Sequence, residues 1–296
     1  FHPTWFVKYC IALFGRDQAV AFLEGNMHAP PPYIRINTLK GSEEEILQKI
    51  ANEGIRIEKV EPLKYTYKVL GSKRPLSKTA GYQQGLFYSQ DKASCFATQV
   101  ADPKPDMTVL DICAAPGAKT TYLAQLMQNQ GIIGSLDFSR RRMNSWKTEV
   151  RHMGVTIADP VIADATAPLP FNVKADVVIL DPPCTSTGVF AKLPAAKWRL
   201  TLHSIEKMAE LQWGMIQRCA DNVADGGTLT YSTCSITVEE NENIIERFLK
   251  THPEFTLVDI EPKIGDPGLK GLDKCQRLYP HLHQCNGFFI AKLQKQ

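Results

Sequence analysis

The sequence predicts an α/β protein in which a mostly parallel β-sheet, covered by helices on both faces, follows a smaller α+β unit. From about residue 105 onwards, apolar strand-like runs alternate with helical segments. Continuous apolar strands of this kind are typical of a parallel sheet that is buried on both faces. Before residue 80, one helix and three strand-like runs follow one another within about 40 residues, an order that indicates a small α+β unit.

The smaller unit is predicted to begin with one or two helices. Apolar residues recur at helical spacing up to the three prolines at 30–32, which end the helical pattern. Ser42 is in a position to cap a later helix, and Gly54 to end it. The predicted elements are helices within 3–28, a strand over 33–39, a helix from Ser42 to Gly54, and extended stretches at 55–60 and 64–70.

The larger unit is predicted from continuous apolar strands that alternate with helical segments. No internal repeat interrupts the alternation of strands and helices. The predicted strands are 108–113, 131–137, 155–164, 176–181, 226–234 and 288–294. The predicted helices are 118–128, 139–153, 203–224 and 239–250.

Composition and charge narrow the class of protein. Of 296 residues, 44% are hydrophobic and 22% are charged, which is ordinary for a soluble globular protein. No apolar run is long enough to span a membrane, and no secretory signal is evident, so we expect a cytoplasmic location and no membrane partner. The chain starts with Phe1 rather than Met, which leaves room for upstream sequence. Residues 1–80 carry 12 Lys+Arg and 8 Asp+Glu, and this excess suits a small nucleic-acid-binding unit.

The eight cysteines are scattered, without a CxxC pair or a Cys/His cluster at zinc spacing. This pattern predicts neither a disulfide framework nor a metal site. Most of the cysteines are expected to be small buried residues in a reducing compartment. Those assigned to this group are Cys10, Cys95, Cys219, Cys275 and Cys285.

A cofactor site is predicted after the first strand of the larger unit. The segment LDICAAPGAKTTYLAQLM places small residues, including Gly117, between a buried strand and a helix, where backbone can approach a ligand closely. Asp137 ends the next strand 20 residues later, where an acid would bond ribose hydroxyls. Asp164 and Asp181 end the two strands that follow, and Asp111 lies near the end of the first. The absence of a GxxxxGK[ST] motif argues against a nucleotide triphosphatase.

Two motifs indicate the chemistry. DPPCTSTG (181–188) and YSTCS (231–235) each follow a strand, and neighbouring parallel strands lie about 4.8 Å apart, so Cys184 and Cys234 are expected at one rim with the cofactor loop. A thiolate that adds to carbon 6 of cytosine makes carbon 5 nucleophilic towards a methyl sulfonium. Asp181 could bond the base at N3. The residues alone predict a cysteine pair and leave open which cysteine attacks.

The motifs together resemble those of the Sun/Fmu/NOP-type (RsmB-like) RNA cytosine-5 methyltransferases, over nearly the whole chain. The motifs that carry the resemblance are HPTW (2–5), RINTLK (35–40), SQDKAS (89–94), CAAPGAKT (113–120), DPPCTSTG, YSTCS with ENEN (240–243), and QRLYPHLHQCNGFF (276–289). The resemblance implies a Rossmann-like class I methyltransferase domain with a mostly parallel seven-stranded sheet over 79–296. It also implies an RNA-recognition-motif-like module at 33–75, within an N-terminal domain spanning 1–78.

The same resemblance implies roles for particular residues. Cys234 would be the nucleophile, and Cys184 would assist release of the product. S-adenosylmethionine would be the methyl donor and S-adenosylhomocysteine the product. Asp137 would bind the ribose, and Asp164 would lie beside the adenine. The complete set predicted to bind the cofactor is Cys113, Ala114, Ala115, Pro116, Gly117, Ala118, Lys119, Asp137, Arg142, Asp164 and Asp181.

Two departures from the family pattern are modest. Ala118 replaces a usual second glycine, and TSTG (185–188) stands where SGTG is more common. Because alanine is also small, we expect cofactor binding to survive. The second change is expected to alter slightly how the loop positions the target base.

Three other interpretations are weaker. A DNA cytosine-5 methyltransferase would use the cysteine of the PPC turn as its nucleophile and would not need Cys234. An amino-group methyltransferase would carry an aromatic residue at the position of Cys184. A non-enzymatic RNA-binding module would leave the strand-end acids and both cysteines unexplained.

The RNA itself is less well specified. A cytosine in a loop or flipped out of its stack is the expected target. The HPTW start resembles ribosomal-RNA members of the family, so rRNA is favoured over tRNA, and the protein is expected to act as a monomer.

Overall fold

The computed structural model describes all 296 residues, Phe1–Gln296. Its first elements include the small unit that the sequence predicts. The helices are α1 (Thr4–Phe14), α2 (Arg16–Gly25), α3 (Glu43–Asn52) and α4 (Ala80–Gln83), and the strands are β1 (Tyr33–Ile36), β2 (Ile55–Lys59), β3 (Thr66–Ser72) and β4 (Phe87–Ser89).

These four strands form an antiparallel sheet in the order β2-β3-β1-β4. Helix α3 begins where it was predicted to begin, because Ser42 and Glu45 form a reciprocal capping box. Its apolar face, with Ile46 and Ile50, packs in a core with Ile34 of β1. Strand β4 lies after residue 78, so the small sheet takes in residues on the far side of the predicted domain division. That division remains a prediction.

The remaining elements build the larger unit. Its helices are α5 (Lys92–Ala101), α6 (Ala118–Leu126), α7 (Arg140–His152), α8 (Ala196–Arg199), α9 (Leu202–Ala220), α10 (Glu242–Thr251) and α11 (Pro280–His283). Its strands are β5 (Thr108–Ile112), β6 (Ile132–Asp137), β7 (Ala158–Ile162), β8 (Ala175–Leu180), β9 (Val223–Thr233), β10 (Phe255–Leu257), β11 (Asp266–Pro267), β12 (Gln276–Leu278) and β13 (Phe288–Lys295).

The larger unit contains one mixed sheet in the order β11-β12-β13-β9-β8-β5-β6-β7, with β10 beside β13. The five strands from β9 to β7 are parallel, and the others are antiparallel. The α/β class is therefore confirmed, but the expected count of seven strands is wrong, because the sheet has nine. Strands β10, β11 and β12 extend its antiparallel side and have only two or three residues each, too few for a recognisable apolar pattern.

The order of the parallel strands determines where a ligand can bind. Strands β6 and β7 lie on one side of β5, and β8 and β9 lie on the other. The strand order therefore reverses at the neighbouring strands β5 and β8, which is the topological switch point of the sheet. In open α/β sheets the crevice outside the carboxyl ends of such strands is the usual ligand site.

Helices α1 and α2 pack against loops of the larger unit. Phe6 and Phe22, which have no exposed surface, share a core with Phe190, Ile236 and Tyr279. Full burial of a phenylalanine contributes roughly 2–3 kcal/mol, so this contact anchors the N-terminal helices firmly. None of the helices combines the length and hydropathy that a membrane crossing requires.

Candidate active site

The loop between β5 and α6 forms the first wall of the crevice. Cys113 has a φ of 67° and Gly117 a φ of 114°, so both lie in the left-handed region that favours glycine. A Cβ atom on Gly117 would also lie 3.3 Å from Cδ1 of Trp146. Glycine at this position thus allows a tight turn, and the turn presents backbone at the N-terminus of α6, where negative charge is favoured.

A hydrogen-bonded chain fixes this loop to the strand beneath it. The indole of Trp146 donates to Oγ1 of Thr120 over 2.8 Å, and the Thr120 hydroxyl donates to Asp111 over 2.5 Å. Burial raises the pKa of Asp111 to about 6 despite this hydrogen bond. Asp111 is therefore a buried structural acid beneath the loop.

Asp137 is the last residue of β6 and is almost fully buried. Its Oδ1 accepts a hydrogen bond from the backbone of Ser139 over 3.0 Å. Its Oδ2 lies 3.2 Å from Nη1 of Arg142, without the alignment of a hydrogen bond, and has no donor. Arg142 donates instead to the carbonyl oxygen of Ala115. A buried carboxylate oxygen that lacks a donor suits the hydroxyl of a bound ribose.

Asp164 stands apart from the other predicted residues. It lies two residues after the end of β7, where it is exposed. Its Oδ1 accepts from the backbone and the hydroxyl of Thr166 at 2.9 and 2.8 Å, and these bonds lower the pKa of Asp164. It forms no hydrogen bond or ion pair with any of the other predicted site residues.

Asp181 directly follows β8 and forms an ion pair with Lys119. Its other oxygen accepts from the Ser232 hydroxyl over 3.2 Å. Burial alone would lower the pKa of Lys119, but Asp181 and Asp111 together raise it. Lys119 is therefore a positive charge fixed between the cofactor loop and the ends of β8 and β9.

The two cysteines that follow β8 and β9 meet at the same rim. The Sγ atoms of Cys184 and Cys234 are 3.2 Å apart, and both residues are partly exposed. The hydrogen bond from Cys184 is the main cause that lowers the pKa of Cys234. Ser186, at 3.5 Å, and Lys119 act in the same direction, whereas burial and the charge of Asp181 act against them. The same hydrogen bond, burial and the charge of Glu240 raise the pKa of Cys184. Of the two sulfurs, Cys234 is the one favoured as a thiolate.

A fully buried carboxylate joins the two cysteine loops. Glu240 accepts hydrogen bonds from the backbone and hydroxyl of Thr185 and from Gln212. It also accepts from Ser235 over 2.6 Å and from Thr237 over 2.9 Å. No Lys or Arg forms an ion pair with it. Hydrogen bonds from both loops therefore compensate for burial of this charge.

The loop that carries Cys184 is held on its other side as well. Asn26, after α2, donates to the carbonyl oxygen of Thr187 over 2.7 Å and accepts from the backbone of Phe190 over 3.2 Å. Gly188 and Gly287 pass so closely that a Cβ on Gly188 would lie 2.4 Å from the Gly287 carbonyl oxygen. The loop is thus fixed between the N-terminal helices and β13.

The sequence interpretation missed the roles of Glu240, Ser186 and Asn26. The ENEN motif contains Glu240, but nothing in the sequence indicated that this carboxylate would turn back towards residues 185 and 235. In the same motif, Asn241 bonds Thr233, and Glu242 forms a buried ion pair with Arg277 at 2.5 Å. Glu240, Asn241 and Glu242 each bond a different segment of the chain. These contacts depend on the tertiary structure and have no local sequence signal.

The cysteines outside the pair and the cofactor loop are buried, as predicted: Cys10, Cys95, Cys219, Cys275 and Cys285. No group of three or more His, Cys, Asp or Glu side chains is arranged to hold a metal ion.

Comparisons with known proteins place this site in context. A sequence model described as 16S rRNA methyltransferase RsmB/F matches residues 98–294, and one described as a Methyltr_RsmF/B-like, ferredoxin-like domain matches residues 2–67. The chain is 32% identical to the probable ribosomal RNA small subunit methyltransferase B of Bacillus subtilis, covering all of this chain and 66% of that protein. It is 38% identical over 220 residues to the tRNA (cytosine(72)-C(5))-methyltransferase of Pyrococcus horikoshii, covering 74% of this chain and 55% of that protein.

A solved structure agrees with these sequence matches. The crystal structure of NSun6 from Pyrococcus horikoshii with SFG, an analogue of S-adenosylmethionine, is 27% identical and superposes with a TM-score of 0.91, covering 99% of this chain and 98% of that chain. The chain spans about half to two thirds of the length of curated relatives that it matches.

Proposed function

Because this chain belongs to the RsmB/RsmF family of 16S rRNA methyltransferases, we propose that it transfers a methyl group from S-adenosylmethionine to carbon 5 of a cytosine in RNA. The observation that carries the proposal is the 3.2 Å approach of the Cys184 and Cys234 sulfurs, beside the Lys119–Asp181 ion pair. A cytosine at this rim could meet a thiolate, a thiol and a carboxylate.

The residues around the crevice suit the cofactor. Asp137 offers a buried oxygen without a donor to a ribose hydroxyl, and the turn at Gly117 gives close access to backbone. Residues 113–119, Arg142, Asp164 and Asp181 would complete the binding site. When bound, S-adenosylmethionine supplies an electrophilic methyl group.

In the proposed reaction, the Cys234 thiolate adds to carbon 6 of the cytosine, and carbon 5 gains the electron density that it needs to accept the methyl group. Asp181 would share a proton with N3 of the base, which draws electrons from the ring and favours this addition. After methyl transfer has left S-adenosylhomocysteine, carbon 5 gives its proton to a base or to solvent water. The electrons of that C–H bond restore the double bond between carbons 5 and 6, the bond between sulfur and carbon 6 breaks, and Cys234 leaves again as a thiolate.

Cys184 would assist the release of the product. Its raised pKa keeps it protonated where Cys234 is ionised, so its thiol can donate a hydrogen bond to the departing sulfur. This difference in protonation supports Cys234 as the attacking group and Cys184 as the releasing group. It also argues against the DNA-enzyme pattern, in which the cysteine of the PPC turn attacks.

We propose rRNA as the substrate class, with tRNA as the alternative. A relative named as an rRNA enzyme matches the chain over its full length, and one named as a tRNA enzyme matches over 74%. Action as a monomer in the cytoplasm stays part of the proposal.

Bisulfite sequencing of total RNA tests the function. Cells that lack the gene should lose protection at one or a few rRNA cytosines, and the full-length gene should restore it, whereas the Cys234→Ser gene should not. Loss of protection in tRNA alone would select the alternative substrate. Unchanged protection in every RNA would contradict the proposal.

A further inference from the structure

Helix α7 carries a larger net positive charge than the chain as a whole. It contains five Lys or Arg residues and one glutamate, a net charge of +4, whereas the whole chain has a net charge of +3. The remainder of the protein is therefore slightly acidic. Such a concentration on one helix calls for a physical reason.

Stability of the helix does not supply that reason. Three arginines occupy its first turn, where the helix dipole favours acidic side chains, and no acid is present there. Arg142 is accounted for by its contacts with Ala115 and Asp137. Arg140 and Arg141 have no such partner and are exposed.

Three of the remaining cations of α7 form a stripe. Arg140, Lys147 and Arg151 are spaced at i, i+7 and i+11, so they share one side of the helix. All three are exposed, and none lies within 4.0 Å of a carboxylate oxygen. The only acid of α7, Glu149, lies on another side, with its Cβ near Gly117. The stripe extends over about 17 Å.

The small unit adds a fourth cation at the end of this stripe. A Cβ on Gly154, just after α7, would lie 3.0 Å from Cε of Lys40. The amide of Asn37 donates to the Met153 carbonyl oxygen over 2.9 Å, which fixes this part of the small unit against the end of α7. Lys40 therefore continues the row of positive charges.

We propose that this cationic stripe, formed by Arg140, Lys147, Arg151 and Lys40, binds the phosphate backbone of the RNA substrate away from the target base. The inference rests on the proposed function. A row of unpaired cations suits a polyanion with regularly spaced charges, and contacts to phosphates contribute affinity without reading the base sequence. Because α7 begins directly after Asp137, RNA held along it remains close to the crevice.

The test is the salt dependence of RNA binding by the full chain. Fluorescence anisotropy with a 30-nucleotide RNA hairpin, at several KCl concentrations, would compare wild type with R140Q/K147Q/R151Q. Each lost phosphate contact lowers the slope of log K against log salt by about 0.7–0.9, so the slope should fall by about 2 to 3. The dissociation constant at low salt should rise at least about tenfold.

Two controls separate position from total charge and from folding. K207Q/K250Q/K274Q removes the same charge from exposed lysines outside α7, of which Lys250 and Lys274 are paired with acids, and should leave the slope unchanged. R140K/K147R/R151K keeps the charge and should bind as wild type does. An unchanged slope for R140Q/K147Q/R151Q, or an equal fall in slope for K207Q/K250Q/K274Q, would overturn the proposal.

Failure of the two proposals can be told apart. The glutamine variant should bind S-adenosylmethionine like wild type in calorimetry. If wild type methylates RNA but the stripe variant keeps its slope, the stripe is refuted and the function stands. If the slope falls but no RNA is methylated by wild type, the function is refuted and the RNA surface stands. If R140Q/K147Q/R151Q binds the hairpin normally but no longer binds an acidic protein partner, the stripe is also refuted as an RNA surface.

Discussion

The loop that carries Cys184 and the loop that carries Cys234 follow neighbouring parallel strands and bring two identical side chains within 3.2 Å. Their surroundings differ. Cys184 lies on the side of the buried carboxylate of Glu240, which disfavours a second negative charge. Cys234 faces the hydroxyl of Ser186, which favours its thiolate, whereas the charges of Asp181 and Lys119 beside it act in opposite directions.

This contrast shows how a symmetric pair of thiols acquires two different chemical properties. Each sulfur bonds the other, so the pair alone does not decide which one holds the proton. The decision comes from third groups: the negative charge of Glu240 beside Cys184, and the hydroxyl of Ser186 beside Cys234. Removing these groups one at a time should weaken the difference in steps.

Replacing the predicted nucleophile should have the largest effect. Cys234→Ser removes the ionisable sulfur, so methyl transfer should fall on the order of 10³-fold or more, and no covalent complex between protein and RNA should form. Tritium transfer from labelled S-adenosylmethionine and denaturing gels would measure both. Cys219→Ser, in α9, is a control with a buried cysteine. A persistent adduct in Cys234→Ser would reverse the assignment of the two sulfurs.

Removal of the second cysteine should block a later step. Cys184→Ala leaves Cys234 in place but removes the thiol that bonds it, both in the resting thiolate and as the sulfur departs. Attack should slow and release should slow more, so the covalent complex should accumulate while turnover falls about 10²-fold. Single-turnover kinetics should lose less than steady-state turnover. Equal losses in both would show that Cys184 acts before release, and Cys219→Ala should behave as wild type does.

Loss of the buried charge should reduce the difference between the sulfurs without removing either one. Glu240→Gln keeps one acceptor oxygen, and the preference for ionising Cys234 should fall by about one pKa unit, or about tenfold. Iodoacetamide labelling with mass spectrometry would measure the ratio of modification at the two cysteines. The neighbouring Glu239 bonds Tyr9, so Glu239→Gln is the matched control.

Glu240→Ala tests how much the hydrogen bonds of Glu240 contribute to the stability of the fold. It leaves the Thr185, Ser235 and Thr237 donors without their acceptor, so unfolding free energy should fall by about 2–4 kcal/mol. A labelling ratio that stays at the wild-type value in Glu240→Gln would mean that the carboxylate holds the loops but does not influence the protonation of the cysteines.

The fold was predictable to the extent that it rests on local pattern. The helix at Ser42 has a capping signal, and the strands that end at Asp137 and before Asp181 are continuous apolar runs. The structure has all three within a few residues of the prediction. Strand β7 is shorter than predicted and contains Pro160, which an edge strand tolerates because its free side needs no donor. The two- and three-residue strands depend on pairing with β13 and have no pattern of their own.

The candidate site also has features that the sequence predicted and features that it did not. The approach of Cys184 and Cys234 followed from parallel strand order, because neighbouring strand ends meet at one rim. The hydrogen bonds of Glu240 and the contact of Asn26 with Thr187 join residues 55 and 161 positions apart, and no local pattern carries that information. The basic excess of residues 1–80 was visible by composition, while the stripe on α7 required knowing which side of the helix is exposed.

The smallest expected effect concerns Ser186, whose hydroxyl lies 3.5 Å from the Cys234 sulfur. Ser186→Ala should raise the pKa of Cys234 by about half a unit, since one weak hydrogen bond to the thiolate is lost. Because the thiolate reacts, the pH profile of iodoacetamide labelling should move to higher pH. The rate should fall about threefold below the pKa and match wild type well above it. Ser145→Ala, on the exposed side of α7, should leave the profile unchanged. A uniform loss at all pH values would instead mean that Ser186 shapes the loop rather than stabilising the thiolate.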